Sequence, residues 1–187
     1  MTPPREPLLA LLAAYARRFP DEHAVAERFR DFVAAHPDCF ERTCVPGHIT
    51  GSAWLVSHDH ARFLLTHHRK LGRWLQLGGH SDGDADTARV ALREATEESG
   101  IAGLTLAALD GVIQPLDLDA HEIPARKDEP AHIHYDVRFI VVAPPNATTT
   151  ISEESIALRW FESDAPLTVE RDASVERLQR KAQRFGP

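Results

Sequence analysis

The sequence lacks any run of about 18 apolar residues, so it predicts no transmembrane helix. It also lacks a basic excess, because 21 Lys and Arg residues stand against 28 Asp and Glu residues. A chain with a formal charge of −7 does not offer the broad basic surface typical of proteins that bind nucleic acids or anionic membranes. We therefore expect neither a nucleic-acid polymer nor a membrane as a partner. If the protein handles a polyanion such as a phosphate ester, a divalent cation is the expected source of local positive charge.

Cysteine is scarce as well, since the chain contains only Cys39 and Cys44. A structural zinc site usually has four ligands, and no second cysteine pair exists to complete one. A chain of 187 residues buries enough surface on folding to need no disulfide framework. We expect two reduced thiols, although the sequence leaves a disulfide possible.

The first 20 residues contain an apolar stretch, 8–16, that ends in a short motif faintly like a signal-peptide cleavage site. The residues before it are not basic, which argues against a secretory signal. The apolar side chains repeat at helical spacing, at positions Leu8, Leu11, Leu12, Tyr15 and Phe19. The pattern favours an amphipathic helix, and we therefore expect a cytoplasmic protein.

Two regions of the chain differ in their predicted secondary structure. Residues 7–36 predict two helices separated at Pro20-Asp21, and we interpret residues 1–44 as an N-terminal helical extension. Residues 45–187 read as the main domain, with strands, one central helix, further strands and a final helix, which is typical of a mixed α/β fold. The predicted strands are 49–56, 62–66, 74–77, 104–108, 111–116, 133–142 and 156–161, and the predicted helices are 86–99, ended by Gly100, and 174–184.

The central helix carries an unusual group of acids. Glu94, Glu97 and Glu98 lie three and four positions apart and so share one helical face. Like charges at this spacing repel, and the last turns of a helix favour cations over anions. A bound divalent cation would make the arrangement favourable, and carboxylate oxygens suit Mg²⁺ or Mn²⁺. The alternative is an ordinary solvated acidic helix end. Arg93 is one helical turn from Glu97 and could orient it.

The segment around this helix resembles the Nudix box, G-x5-E-x7-R-E-U-x-E-E-x-G-U, in which U is a bulky aliphatic residue. The motif is long and specific, and it covers 23 residues of the chain. The matching residues are Gly79, Arg93, Glu94, Glu97, Glu98, Gly100 and Ile101. The sequence departs from the box at Ala85, where the first glutamate is expected, and at Ala95, which is a small residue at a U position. Asp84 and Asp86 flank Ala85, and either could replace the missing glutamate.

The resemblance implies an α/β/α sandwich with a mixed sheet that cleaves pyrophosphate bonds in nucleoside diphosphate derivatives. By position, Glu94, Glu97 and Glu98 would hold Mg²⁺ (or Mn²⁺), with the main-chain carbonyl of Gly78 as a further ligand. Arg93 would orient the carboxylates. The substrate would be a small molecule with a diphosphate linkage, and a homodimer is possible because dimers are frequent in the family.

Nudix proteins differ in the position of the general base that accepts a proton from the attacking water. Some use a glutamate of the box, and others use one in a late loop. Glu153 and Glu154 precede the last predicted strand and are the candidates outside the box. The alternative for each is an exposed loop acid.

Two further segments could contact substrate. Residues 132–138 alternate polar and apolar, which on a strand would place His132, His134, Asp136 and Arg138 on one side. That side could contact substrate through His132, His134 or Arg138, form a second metal centre, or face solvent. The basic segment 67–74, directly before the box, could guide phosphates or present Trp74 for stacking on a base; the alternative is a plain hairpin loop.

Two other functions are compatible with the box. The first is a non-catalytic Nudix-like domain that binds a ligand or regulates, which Ala85 would explain. The second is a Nudix-fold isomerase of isopentenyl diphosphate, which needs a suitably placed cysteine and a histidine-rich metal site. Cys39 and Cys44 lie far before the box in the sequence, which disfavours the isomerase.

Overall fold

The computed structural model describes residues 3–126, 130–153 and 155–185. The α-helices are α1 (Glu6–Arg18), α2 (His23–Ala35), α3 (Thr87–Ser99) and α4 (Ala173–Ala182), with short 3-10 turns at Pro20–Glu22 and Gln183–Phe185. The strands are β1 (Gly47–Val56), β2 (Arg62–His68), β3 (Arg73–Leu75), β4 (Leu77–His80), β5 (Thr105–Leu106), β6 (Asp117–Ile123), β7 (His132–Val142) and β8 (Ser155–Glu162). Among the described residues, no helix is both long and apolar enough to cross a membrane.

The strands form one mixed sheet, which confirms the predicted α/β class. Its order is β3-β2-β1-β7-β5, with β4 paired to β1, β6 to β7 and β8 to β2. The central pair, β1 and β7, is parallel over its whole length, from Gly47 opposite Ile133 to Val56 opposite Val142. The other paired strands run antiparallel. This register places the starts of β1 and β7 side by side.

The apolar side chains of β1 pack into core clusters on both faces of the sheet. Ile49 packs with α1, α2 and α3, whereas Trp54 packs with α4. Because successive side chains on a strand point to opposite faces, one strand can serve helices on both sides of the sheet. The helices therefore cover both faces of the sheet, as in an α/β/α sandwich.

The N-terminal helices are tied to this core by aromatic contacts. Phe32 stacks on Tyr135 of β7 with ring centroids 3.9 Å apart, and Phe29 meets the same ring edge-on at 5.2 Å. Helix α1 buries Leu8, Leu12 and Tyr15, which confirms the amphipathic interpretation. The division at residue 44 stays a prediction, but the two segments share one apolar core.

A buried ionic contact joins the first and last helices. Lys181 of α4 donates hydrogen bonds to the Tyr15 hydroxyl at 2.7 Å, to Glu22 at 2.8 Å and to Asp117 of β6 at 3.1 Å. Tyr15 in turn donates to Glu22. Because each charge has an opposite charge within hydrogen-bonding distance, the group can be buried without leaving an isolated ion.

One predicted strand is wrong. Residues 111–116 form a turn and a loop, whereas the strand that pairs with β7 is Asp117–Ile123. Its inward-facing Asp117 and Asp119 hide the usual apolar alternation, and they are buried only because arginine and lysine side chains from other elements pair with them. Cys39 and Cys44 are both free and buried.

Candidate functional site

A cleft of about 540 Å³ opens beside the N-terminal half of β1. Its walls come from β1, β4, α3, β6, β7 and the β2–β3 hairpin. Acidic and histidine side chains share this space, and they include Glu94, Glu97, Glu98, His80, His132 and His134. The fold therefore gathers the predicted box residues and the predicted histidines in one cavity.

Helix α3 begins and ends where the sequence predicts. The Asp86 carboxylate accepts a hydrogen bond from the Arg89 backbone N–H at 3.0 Å, which satisfies one of the free donors at the helix start. Gly100 adopts a left-handed conformation with φ of 67°, which stops the helix one residue after Ser99. These two ends fix the turn that carries the three glutamates.

The three glutamates differ in exposure although they share one helix face. Glu98 is buried, with 8% of its surface exposed, and its Oε2 accepts a hydrogen bond from the Gly78 N–H at 3.3 Å. Glu94 is half-buried, and Glu97 is exposed. All three line the cleft, so the structure brings the predicted metal ligands together. Gly78 lines it as well.

Two glycines of β4 make room for this wall. A Cβ at Gly79 would lie 2.6 Å from Cδ of Glu94, and a Cβ at Gly78 would lie 2.7 Å from Cβ of Ser52. Any side chain at these positions would overlap its neighbour. The Gly78-Gly79 pair therefore lets β4 approach both α3 and β1 closely.

Arg93 holds Glu94 rather than Glu97. Its Nη2 donates to Oε1 of Glu94 at 2.7 Å and to the His80 carbonyl at 2.7 Å. Burial raises the pKa of Glu94, and the Arg93 charge opposes that rise. From the sequence we expected Arg93 to orient Glu97, whereas in the structure it bonds to the carboxylate of its immediate neighbour, Glu94.

Both aspartates beside Ala85 bond to Arg89 at the start of α3. Asp84 is paired with Arg89, whose Nε donates to it at 2.8 Å, and Asp86 caps the helix. Neither lines the cleft. Ala85 itself packs against the N-terminal core cluster. The position of the first box glutamate therefore contributes contacts to the N-terminal helices instead of a carboxylate.

Histidines from three adjacent strands meet at the cleft. His48 of β1 lies opposite His134 of β7. Thr50, two residues after His48 on the same strand, lies opposite His80 of β4. Ring centroids are 4.8 Å apart for His48 and His134 and 5.0 Å apart for His48 and His80. Burial lowers the pKa of His48 to about 4 and lowers that of His134 further. Sequence reasoning missed His48, because nothing local distinguishes a lone histidine at a strand start.

Arg138 does not reach the cleft. It is 2% exposed, and its guanidinium bonds to Asp136 at 2.7 Å, Asp119 at 3.0 Å and Asp117 at 3.3 Å. The structure therefore corrects the prediction that Arg138 contacts substrate. It is on the predicted side of β7, but three carboxylates enclose it. Asp136 does line the cleft, so Arg138 contacts the cleft wall only through its hydrogen bond to Asp136.

Trp74 and Glu153 also lie outside the cleft lining. Trp74 stacks on His67 at 5.1 Å and meets Phe161 edge-on at 5.4 Å, so its ring is engaged within the sheet. Glu153 is exposed, and its backbone carbonyl accepts a hydrogen bond from Arg69 at 3.0 Å. Glu154 lies outside the described residues.

The sequence matches no protein-family model and none of the curated proteins. Solved structures do match the fold. A possible asymmetric diadenosine tetraphosphate hydrolase from Jonesia denitrificans has a TM-score of 0.59 at 14% identity, over 76% of this chain and 96% of that chain. A NUDIX family hydrolase from Clostridium perfringens has a TM-score of 0.57 at 21% identity, over 74% and 97%. A UDP-X diphosphatase has a TM-score of 0.51 at 14% identity, over 96% and 92%. This likeness shows that the chain has a Nudix fold.

Proposed function

We propose that the protein is a hydrolase that uses Mg²⁺ or Mn²⁺ to cleave the pyrophosphate bond of a nucleoside diphosphate derivative or a related metabolite. The observation that carries the proposal is the placement of Glu94, Glu97 and Glu98 on one wall of the cleft, against Gly78 and Gly79. The sequence pattern and the Nudix fold independently support the same reaction.

The donor set fits the proposed cation. Carboxylate and main-chain carbonyl oxygens are hard ligands of the kind that Mg²⁺ prefers. Glu94, Glu97, Glu98 and the carbonyl of Gly78 would hold the ion. When bound, the cation would neutralise the diphosphate and acidify the attacking water.

The chain's own side chains would position the substrate and remove the proton. Lys70 and Arg126 line the cleft and offer positive charge to phosphate groups. Arg93 fixes the Glu94 carboxylate. We assign the proton-accepting role to Glu97, through the carboxylate oxygen that does not hold the cation, because Glu97 is the exposed carboxylate of the wall, whereas Glu153 does not line the cleft.

The test is a phosphate-release screen over dinucleoside polyphosphates, nucleotide sugars and nucleoside triphosphates, with and without Mg²⁺. Diadenosine polyphosphates and uridine diphosphate derivatives come first, because structural neighbours are named for such substrates. Glu98→Gln should lower kcat/KM by at least about 100-fold, since metal stabilisation of developing charge is worth several kcal/mol.

Glu122→Gln is the matched control. Glu122 is an exposed acid of β6 outside the cleft lining, although its neighbours His121 and Ile123 line the cleft. It should hydrolyse at the wild-type rate. If Glu98→Gln were as active as this control, the catalytic assignment would be wrong.

Ala85, at the position of a box glutamate, is the reason to test a non-catalytic domain that only binds its ligand. The same screen separates this function from hydrolysis. A regulatory domain would bind a nucleotide in calorimetry without turnover at any Mg²⁺ concentration. The isomerase alternative requires a cysteine at the reaction site. Cys39 and Cys44 are buried and do not line the cleft, so the structure does not favour it.

We further propose a cytoplasmic protein acting on a small molecule. A homodimer is the proposed assembly, and sedimentation equilibrium would test it.

A further inference from the structure

We propose that His48, His80 and His134 form a binding site for a borderline transition-metal ion of the Zn²⁺ class, next to the carboxylate wall and distinct from it. The nitrogen atoms that the three imidazoles offer lie within 4.8 Å of one another. Uptake of zinc can be measured without turnover, so the inference stands independently of the hydrolase proposal.

The sheet register creates this cluster. The three histidines come from three neighbouring strands, β4, β1 and β7. In a tetrahedral zinc site with bonds of about 2.0–2.1 Å, ligand nitrogens lie roughly 3.4 Å apart. Side-chain rotations that move each ring by about 1 Å would close the present separation around one ion.

Unpaired nitrogen atoms are the second observation. His48 is 1% exposed, and neither of its ring nitrogens has a hydrogen-bond partner among the described residues. Nε2 of His134 is also buried and unpaired within that part of the chain. Burying a polar atom without a partner costs free energy. A shared metal ion would satisfy one nitrogen of each ring.

The chemistry of the donors separates this site from the glutamate wall. Imidazole nitrogen suits Zn²⁺ and similar transition metals, whereas carboxylate oxygen suits Mg²⁺ and Mn²⁺. The neutral imidazole is the form that binds a metal. Arg42, which lines the cleft with His80 and His134, is paired with Asp82 through hydrogen bonds of 2.7 and 2.6 Å.

The residues around the three histidines would also leave one coordination position of the ion free for a ligand. His132 stacks on His48 at 4.9 Å, and its Nδ1 lies 3.0 Å from the Pro130 carbonyl, which fixes one side of the cluster. Three protein ligands leave at least one coordination position, as in catalytic zinc sites. His80, His132 and His134 line the cleft, whereas His48 is buried beneath them. The free position would therefore accept water or a phosphate oxygen from the cleft.

The experiment titrates the chelator-stripped full-length protein with Zn²⁺ in the presence of excess Mg²⁺, which occupies hard oxygen ligands. We expect one tightly bound Zn²⁺ per chain. X-ray absorption at the zinc edge should give a shell of imidazole nitrogens at about 2.0–2.1 Å. Absence of zinc uptake by the wild-type protein, or a shell made only of oxygen, would overturn the proposal.

Variants locate the ion. His48→Gln, His80→Gln and His134→Gln should each weaken zinc binding by more than the about 10–100-fold typical of losing an outer-shell partner. His58→Gln is the matched control, because His58 is exposed in the β1–β2 turn. Circular dichroism checks that each variant is folded, and His80, which is only half-buried at a strand end, supplies a test if His48→Gln does not fold. Equal affinity of the folded His80 and His58 variants would refute the site.

Discussion

The carboxylate of Glu94 occupies the space that a side chain at Gly79 would fill, since a Cβ there would lie 2.6 Å from Cδ of Glu94. A methyl group at residue 79 would push this carboxylate aside. Arg93 binds the same carboxylate at 2.7 Å. The position of one proposed metal ligand is therefore set jointly by a glycine and an arginine.

Gly79→Ala should displace Glu94 and reduce Mg²⁺-dependent hydrolysis by about 10–100-fold, because a misplacement near 1 Å can cost this much. The half-saturating Mg²⁺ concentration should rise in the same assay. Gly111→Ala is the control. Its φ of 79° makes alanine unfavourable by about 1–2 kcal/mol, but nothing lies within 4 Å of the added Cβ. It should lower the melting temperature and leave kcat unchanged, whereas equal activity loss in both variants would contradict the argument.

Arg138→Met should destabilise the fold strongly. Removing this buried guanidinium leaves Asp117, Asp119 and Asp136 with fewer opposite charges, and breaking a buried pair typically costs about 3–5 kcal/mol. Urea denaturation measures the change in the free energy of unfolding. The exposed Arg73→Met should change it by less than about 0.5 kcal/mol. A loss below 1 kcal/mol for the Arg138 variant would mean that the carboxylates find other partners.

Phe32→Ala tests whether the N-terminal helices and the sheet unfold together. The ring stacks on Tyr135 at 3.9 Å, and truncating a buried phenylalanine costs about 3–5 kcal/mol. If the chain is one cooperative unit, fluorescence and circular dichroism should report a single, earlier transition. Val112→Ala, at a position that is 60% exposed, should leave the midpoint nearly unchanged. Two separate transitions in the wild-type protein would instead support independent folding of residues 1–44.

The buried thiols predict a loss of stability at alkaline pH. Burial raises the pKa of Cys39 to about 12 and that of Cys44 to about 11, from the ordinary value of 9.0. Between pH 9 and 12 the unfolded chain has released protons that the folded chain retains, so the free energy of unfolding falls as the pH rises. In urea denaturation at several pH values, Cys39→Ala should flatten this fall. An unchanged slope would contradict the assignment, as would rapid labelling of both native thiols by a thiol reagent at pH 8.

The predictable part of the site is the part that one helix encodes. Glu94, Glu97 and Glu98 meet the cleft together because helical spacing alone puts them on one face. Asp86 and Gly100 bound that helix through contacts within a few residues. Such signals act over short distances along the chain, so the sequence displays them directly.

Strand β6 could not be predicted from the sequence in the same way. Asp117 and Asp119 look like loop residues, yet Arg138 and Arg177 neutralise them inside the fold. The alternation of β7 was visible, but its outcome was not. His134 and Asp136 reach the cleft, whereas Arg138 is enclosed by acids that only the pairing with β6 supplies.

The amino-acid sequence by itself determined the acidic helix, the glycines that precede it and the residues at which it begins and ends. These features depend on backbone periodicity and on near neighbours along the chain. Only the tertiary structure decided that His48 joins His80 and His134, and that Thr50 and Ser52 hydrogen-bond to Asp136, which is 86 and 84 positions away. The physical reason is strand register. Which residues of β1 and β7 lie side by side is selected by burial across the whole sheet, and no local pattern specifies it.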